Sequence, residues 1–125
     1  MLDIFKTIGD TLFTLEEIED DAWINLVDPT PEEIDFIEGE LGVDRDFLRA
    51  ALDEEESARL EVENEQVLIL VDTPYVEKTD DHIIYETLPL GIILTKNNII
   101  TVCLKNSIVL DQFEKNSVRS FSTFK

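Results

Sequence analysis

The chain has 125 residues, of which 43% are hydrophobic and 31% are charged, a composition typical of one globular domain with a single core. Its 29 aspartates and glutamates outnumber its 10 lysines and arginines, which gives a formal net charge of −19. Such a surface repels phosphate backbones and anionic lipid headgroups, so nucleic-acid binding and direct membrane contact are disfavoured, whereas cations or a basic partner are favoured.

The cysteine content and the hydropathy indicate a domain that lies in water. Cys103 is the single cysteine, which excludes an internal disulfide and is typical of a reducing compartment. The N-terminus has no basic stretch followed by an apolar one, so no secretory signal is predicted. The longest apolar run, residues 88–94, is far shorter than the roughly 20 residues of a membrane-spanning helix.

The first elements are predicted to be strands. Residues 2–6 and 11–15 are β-like, and Gly9-Asp10 between them is typical of a hairpin turn. Residues 22–27 form a third apolar strand that Asp28-Pro29 ends.

Two helices are predicted next. Thr30 and Glu33 form a capping box around a proline at the first helical position, and Gly42 ends that helix. Asp44 caps a second, short helix. The apolar residues of each helix fall on one face: Ile34, Ile37 and Leu41 in the first, and Phe47, Leu48, Ala51 and Leu52 in the second.

The second half of the chain changes to the periodicity of strands. Residues 59–63 alternate charged and apolar side chains, as a half-exposed strand does, and residues 66–71 are continuously apolar, which predicts a strand covered on both faces. Asn64-Glu65 is the predicted turn between them. Residues 74–82 are polar, acidic and without periodicity, and they predict a mobile loop.

The last predicted elements are a hairpin and a helix. Residues 83–95 and 99–104 form the hairpin, which closes near Lys96-Asn97-Asn98. Ser107 caps the final helix, whose apolar residues are Ile108, Val109, Leu110 and Phe113.

The sequence contains few of the motifs that indicate an active site. The sequence has no nucleophile elbow, P-loop, dinucleotide-binding glycine pattern or paired cysteine motif, and it contains only four glycines. His82 is the single histidine, so a transition-metal site would lack a second one, and a solvated loop histidine is favoured over a metal ligand or general base. A small hydrolase with paired carboxylates would need one carboxylate of raised pKa in a cleft, which the spacing does not indicate.

Two other residues have a structural and a functional interpretation. Cys103 lies in an apolar strand, which favours a small core residue over a reactive thiol. Trp23 is a candidate for stacking on a ligand, but its apolar neighbours favour a buried ring whose indole N–H is bonded to a partner.

The densest group of charged residues lies within residues 53–65, where seven carboxylates accompany one arginine: Asp53, Glu54, Glu55, Glu56, Glu61, Glu63 and Glu65, with Arg59. Hard oxygen ligands of this kind suit Mg²⁺ or Ca²⁺. The spacing does not match an EF-hand, because the alternating Asp/Asn ligands and the central glycine are missing. Two interpretations therefore remain open, a solvated acidic face and a weak, partly hydrated Mg²⁺ site.

Several segments follow one another in an informative order and spacing. They are Trp23-Ile24-Asn25-Leu26, Asp28-Pro29-Thr30, Gly42-Val43-Asp44, Arg59-Leu60-Glu61, Val67-Leu68-Ile69-Leu70-Val71 and Leu90-Gly91-Ile92-Ile93-Leu94-Thr95-Lys96-Asn97-Asn98. Together they cover roughly residues 20–115, and in this order they resemble the N-terminal cytosolic domain of the CorA family of magnesium and cobalt transporters.

The resemblance implies a three-layer α/β/α sandwich with a mixed β-sheet. It also implies that residues 1–116 form a domain on the cytoplasmic side of a homopentameric membrane protein. Residues 117–125 would begin the connection to a long helix and to a membrane region with a Gly-Met-Asn pore-mouth motif, both outside this sequence. For the separate fragment two states remain open, a monomer and a pair held by non-native contacts.

The resemblance also implies a regulatory metal. In family members, Mg²⁺ bound between neighbouring cytosolic domains holds the pore shut, and a carboxylate near the end of the second short helix supplies one side of that site. By ungapped spacing the matching position is Ala50, which departs from the pattern. Asp53 and Glu54 lie one turn further on, and we expect them to reach the same interface.

These observations leave two principal functional hypotheses. The first is a Mg²⁺-sensing regulatory domain of a CorA-like divalent cation transporter, which predicts a long helix and two apolar spans beyond Lys125. The second is a free-standing acidic module that docks a basic partner, which predicts that the polypeptide ends near Lys125.

Overall fold

A computed structural model describes residues 1–53 and 56–105, which form one mixed sheet and two helices. The strands are β1 (Leu2–Ile8), β2 (Thr11–Leu15), β3 (Trp23–Val27), β4 (Arg59–Glu63), β5 (Gln66–Lys78), β6 (Ile83–Leu94) and β7 (Ile99–Cys103), and the helices are α1 (Pro31–Leu41) and α2 (Arg45–Ala50).

The seven strands lie in the order β2-β1-β3-β7-β6-β5-β4. β3 and β7 pair in parallel, and all the other neighbours pair antiparallel. After β3 the chain forms both helices and then the antiparallel strands β4, β5 and β6. It returns as β7, which lies beside β3 in the middle of the sheet and runs in the same direction. The prediction of an α/β fold with a mixed sheet is confirmed.

The predicted signals at the ends of the helices are confirmed. The Thr30 side chain accepts a hydrogen bond from the Glu33 N–H, and the Glu33 carboxylate accepts one from the Thr30 N–H, so the capping box is complete. Gly42 ends α1 with φ of 64°, a left-handed conformation that favours glycine. Asp44 caps α2, and Arg45 ties the two helices together through hydrogen bonds to Glu38 at 3.0 and 3.1 Å.

The main core lies between the helices and one face of the sheet, which we call the helix-covered face. Sheet residues on this face include Ile24, Leu68, Ile93 and Ile100, and all four are buried. The helices contribute the buried residues Ile34, Ile37, Phe47, Leu48, Ala50 and Ala51. Both helices therefore form one layer on this face. A third layer on the opposite face remains a prediction that the described residues do not test.

The opposite face of the sheet has its own smaller apolar cluster, built from Phe5, Trp23, Leu90 and Cys103. The Phe5 and Trp23 rings lie 4.9 Å apart between centroids. The Trp23 indole N–H donates to the Thr101 hydroxyl at 2.8 Å, and that hydroxyl donates to the Asn25 side-chain oxygen at 2.9 Å. Because Trp23 and Cys103 are both buried, the structural interpretations of these two residues are confirmed.

The prediction of a mobile loop over residues 74–82 is wrong. β5 continues to Lys78 and β6 begins at Ile83, and the two strands pair without interruption from Val67↔Leu94 to Lys78↔Ile83. β4 ends its pairing with β5 at Leu70, and β7 ends its pairing with β6 at Leu90, so the hairpin continues beyond both neighbours as a two-stranded arm.

The prolines explain where the arm begins. By the alternation of the β-ladder, Pro74 faces the side on which β4 has already ended, and Pro89 faces the side on which β7 has ended. Neither proline therefore removes a hydrogen bond from the sheet, although each one disrupts the sequence pattern of a strand. The predicted final helix from Ser107 and the predicted connection at residues 117–125 lie outside the described residues.

Candidate functional site

The acid-rich segment begins where α2 ends against the sheet. Ala50 and Ala51 are 5% and 0% exposed, and a Cβ atom added at Gly91 of β6 would lie 3.0 Å from the Ala51 Cβ. The end of α2 is therefore packed closely on β6, and Ala50 is part of the core. Asp53 lies three residues after Ala50 and is exposed to solvent. Glu54 lies outside the described residues.

Arg59, the one arginine of the segment, binds two of its carboxylates. It forms an ion pair with Glu56, and its Nε lies 3.3 Å from a carboxylate oxygen of Glu61. The hydrogen bond that Arg59 donates to Glu56, aided by the negative charges of both carboxylates, raises the pKa of the Arg59 guanidinium above its ordinary value. Two of the seven carboxylates are thus already neutralised locally, whereas Glu63 and Glu65 remain exposed to solvent.

Within residues 1–53 and 56–105, no three side chains among histidine, cysteine, aspartate and glutamate are grouped so that they can hold a metal ion. A complete metal site within one copy of this part of the chain is therefore not formed. A site shared between copies would need only one or two carboxylates from each copy. Asp53 is exposed to solvent.

Sequence reasoning missed a polar cleft of about 330 Å³ at the end of the sheet where the β4–β5 and β6–β7 turns meet the end of α1. Its lining residues are Asp20, Glu40, Leu41, Asn64, Glu65, Gln66, Thr95, Lys96, Asn97 and Asn98. The buried Asn98 amide holds this end together by donating to the backbone oxygens of Glu19 at 2.8 Å and Ala22 at 3.3 Å. No sequence signal indicated the cleft, because its residues come from four separate turns and termini.

His82 lies at the tip of the β5–β6 arm and is exposed, as the prediction of a solvated histidine requires. Its backbone oxygen accepts hydrogen bonds from the N–H and the hydroxyl of Thr79, at 2.9 and 3.0 Å, which closes the tip of the hairpin. In the part of the chain that the structure describes, no helix is long and apolar enough to cross a membrane.

Solved structures with the same fold define the class of the domain. The soluble domain of CorA from Methanocaldococcus jannaschii matches with a TM-score of 0.76 and 24% identity over 92% of this chain and 45% of that one. The complete CorA magnesium transporter of the same organism matches with a TM-score of 0.73 and 24% identity, over 92% of this chain and 36% of that one.

A third structure, the ZntB cytoplasmic domain from Vibrio parahaemolyticus, matches with a TM-score of 0.68 and 11% identity over 92% of this chain and 48% of that one. The fold is therefore that of the CorA soluble domain, and the chain spans less than half the length of each of these three structures. No curated protein sequence matches significantly.

The family is shown by a match to the family model for CorA-like Mg²⁺ transporter proteins, which covers residues 19–120. The chain belongs to the CorA-like Mg²⁺ transporter family. The resemblance recognised in the sequence is confirmed.

Proposed function

We propose that this chain is the cytosolic regulatory domain of a CorA-like divalent cation transporter, and that it senses intracellular Mg²⁺ on the cytoplasmic side of the membrane. The observation that carries the proposal is the family match over residues 19–120, together with a fold that spans 36% of a complete CorA transporter. On this proposal the pore belongs to another part of the polypeptide, and the domain binds ions without catalysing a reaction.

The charge of the domain supports a cation as the regulatory ligand. A net charge of −19 makes neighbouring domains repel each other, and a divalent cation held between them offsets that repulsion. Loss of the ion restores the repulsion and separates the domains. A weak, partly hydrated Mg²⁺ ion can therefore act as a switch between the copies of a homopentamer.

We propose that Asp53 and Glu54 supply the carboxylates of this site. Asp53 is exposed just beyond the end of α2, three residues after the buried Ala50. The close packing of Ala51 on Gly91 fixes the end of α2 against β6. This packing therefore also restricts the position of a carboxylate just beyond the end of the helix. The loss of a carboxylate at position 50 is thus offset by carboxylates three and four residues later.

The test is a titration of the chain with Mg²⁺, followed by NMR of the backbone amides and by calorimetry, in wild-type protein and in the Asp53→Ala/Glu54→Ala variant. We expect the wild type to show saturable amide shifts centred on Asp53, and the variant to lose them. The matched control is Asp80→Ala/Asp81→Ala. It removes the same charge from two consecutive, exposed aspartates at the tip of the arm.

Equal responses in the two variants would show that Mg²⁺ acts only by screening the net charge. An unchanged response in Asp53→Ala/Glu54→Ala protein would remove these two residues from the site.

A further inference from the structure

We propose that the polar cleft at the end of the sheet binds a small aliphatic diamine, a ligand with two ammonium groups joined by a methylene chain. The cleft is the space of about 330 Å³ between the β4–β5 turn, the β6–β7 turn and the end of α1. This volume falls at the lower end of the range typical of small-molecule sites and is much larger than a bare ion requires. The proposal is independent of the Mg²⁺ site at Asp53 and Glu54 and rests on different residues.

The floor of the cleft holds a buried hydrogen-bond acceptor. Asn98 lines the cleft and is only 6% exposed. Its side-chain nitrogen donates to the backbone oxygens of Glu19 and Ala22, which fixes the orientation of the amide group. Its side-chain oxygen has no hydrogen-bond donor among the described residues, yet no buried polar side-chain atom of these residues lacks a partner. That oxygen therefore still contacts solvent, and the cleft is the space onto which Asn98 opens.

Hydrogen bonds hold the walls of the cleft in place. The backbone oxygen of Asn97 accepts the Asp21 N–H at 2.6 Å, which joins the β6–β7 turn to the segment before β3. The Gln66 side chain donates to the Gly42 backbone oxygen at 2.8 Å and accepts the Asp44 N–H at 3.2 Å, which joins β5 to the end of α1. The cleft is therefore formed before a ligand binds, so binding does not have to order its walls.

The charge of the lining favours a cation. Asp20, Glu40 and Glu65 contribute three carboxylates and Lys96 contributes one ammonium group, which leaves an excess of two negative charges. Each of these residues is exposed, and no ion pair among the described residues involves any of them. The carboxylates are therefore available to a cation from solution. The net charge of −19 also raises the concentration of cations near the surface.

The arrangement of the lining favours an organic dication over a metal ion. Within residues 1–53 and 56–105, no three acidic, histidine or cysteine side chains are grouped so that they can hold a metal ion. A diamine carries its charges at separate ends, so it reaches carboxylates that lie apart, and each ammonium group donates up to three hydrogen bonds. The Asn98 oxygen accepts one of these. The methylene chain covers Leu41, the one apolar residue among the described lining residues.

The test is an NMR titration of the 125-residue chain with putrescine, an aliphatic diamine. We expect saturable shifts of the backbone amides of residues 64–66 and 95–98, which line the cleft. Butylamine, with the same carbon chain and one ammonium group, is the control for a single charge. MgCl₂ is the control for a divalent charge without a chain. We expect both to bind the cleft about threefold more weakly than putrescine or worse, because neither joins two separated charges.

Removal of two carboxylates from the cleft should weaken binding. The variant Glu40→Gln/Glu65→Gln keeps the size of both side chains, and we expect it to bind putrescine about threefold to tenfold more weakly, since each exposed ion pair contributes modestly. The matched control is Asp80→Asn/Asp81→Asn, which removes the same charge from exposed residues at the tip of the arm. We expect this control to stay within about twofold of the wild type, because distant charges are screened.

Removal of the cation from the cleft should strengthen binding. We expect Lys96→Gln to bind putrescine about twofold more tightly or better, because its ammonium group no longer repels the ligand. The matched control is Lys78→Gln, an exposed lysine of the arm, for which no change is expected. A purely structural role of Lys96 would not increase the affinity.

Equal affinities for putrescine and butylamine would overturn the proposal, as would MgCl₂ shifts of the cleft amides that match those of putrescine. Shifts confined to other parts of the chain would also overturn it. Circular dichroism checks that each variant folds. If Glu40→Gln/Glu65→Gln does not fold, Lys96→Gln decides the question, and an affinity no higher than that of the wild type would contradict the proposal.

Discussion

Thr101 joins two polar side chains in a part of the sheet that is otherwise apolar. Its hydroxyl accepts the Trp23 indole N–H and donates to Asn25, whose side chain is 0% exposed. A buried polar group that loses its hydrogen-bond partner keeps the full cost of its desolvation. The hydroxyl therefore links β7 to two side chains of the neighbouring strand β3.

We expect Thr101→Val, which keeps the shape but removes the hydroxyl, to lower the free energy of unfolding by about 1–3 kcal/mol. Urea unfolding followed by Trp23 fluorescence measures this change. The control is Thr14→Val on the exposed surface of β2, for which a change within about 0.5 kcal/mol is expected. A loss for Thr101→Val no larger than that of the control would show that the two hydrogen bonds add no net stability.

Glu33 gives the capping box a dependence on pH. Partial burial raises the pKa of its carboxyl, but the Thr30 hydrogen bonds and the N-terminal ammonium group of Met1, 3.0 Å away, outweigh it and lower the pKa below the ordinary value of 4.5. A carboxylate with a lowered pKa in the folded state stabilises the fold at pH values above 4.5, and this contribution is lost as the pH falls through the lowered value.

We therefore expect Glu33→Gln to be less stable than the wild type at neutral pH by about 0.3–1 kcal/mol, since glutamine keeps the capping hydrogen bond but loses the charge. The difference should disappear in acid, and urea unfolding between neutral pH and pH values well below 4.5 measures it. Glu32→Gln, in the same first turn, is the matched control for charge at the helix end. A difference that persists unchanged in acid would contradict an electrostatic origin.

At the scale of elements, the shorter of the two described helices packs closely on the sheet. α2 has only six residues, and it reaches the sheet closely because Gly91 of β6 has no side chain facing Ala51. A Cβ at Gly91 would lie 3.0 Å from a Cβ that cannot rotate away. The position of the surface that follows α2 therefore depends on this glycine.

We expect Gly91→Ala to destabilise the domain by about 1–3 kcal/mol through overpacking. Combining it with Ala51→Gly should restore part of this loss, giving a favourable coupling energy of about 0.5–3 kcal/mol in a double-mutant cycle measured by urea unfolding. Strict additivity of the two substitutions would mean that α2 and β6 adjust independently.

The elements that the sequence predicted correctly have local signals. The capping box at Thr30 and Glu33, the left-handed Gly42 and the turn at Asn64-Glu65 each act within a few residues, so one sequence is enough to recognise them. The arm was missed because its prolines are tolerated only where neighbouring strands have ended, which is a property of the assembled sheet.

The candidate site was less predictable for the same reason. The sequence locates the carboxylates of residues 53–65, but it does not indicate that Arg59 pairs with Glu56 and Glu61, or that Ala50 is buried. Leu60 and Val62 are exposed because, among the described residues, β4 lies at an edge of the sheet and these two side chains face away from both helices. These features depend on contacts between distant parts of the chain.

At the scale of the whole molecule, the net charge of −19 connects the fold to the proposed function. Like charges on neighbouring copies repel each other, and the repulsion is screened within about 10 Å at ordinary ionic strength. A regulatory ion therefore acts best where carboxylates of two copies come close together. The rigid end of α2, with Asp53 beyond it, is the surface for which we propose this role.

The most direct test of the proposed function is Mg²⁺ flux into liposomes through the proposed full-length transporter, measured at low and high Mg²⁺ on the cytoplasmic side. We expect high Mg²⁺ to inhibit flux in the wild type and in the Asp80→Ala/Asp81→Ala control, and Asp53→Ala/Glu54→Ala to remain open at the same concentration. If the Mg²⁺ concentration that inhibits the wild type also inhibits the Asp53→Ala/Glu54→Ala variant, sensing through Asp53 and Glu54 is contradicted. A wild-type flux that does not respond to cytoplasmic Mg²⁺ would contradict the regulatory role itself.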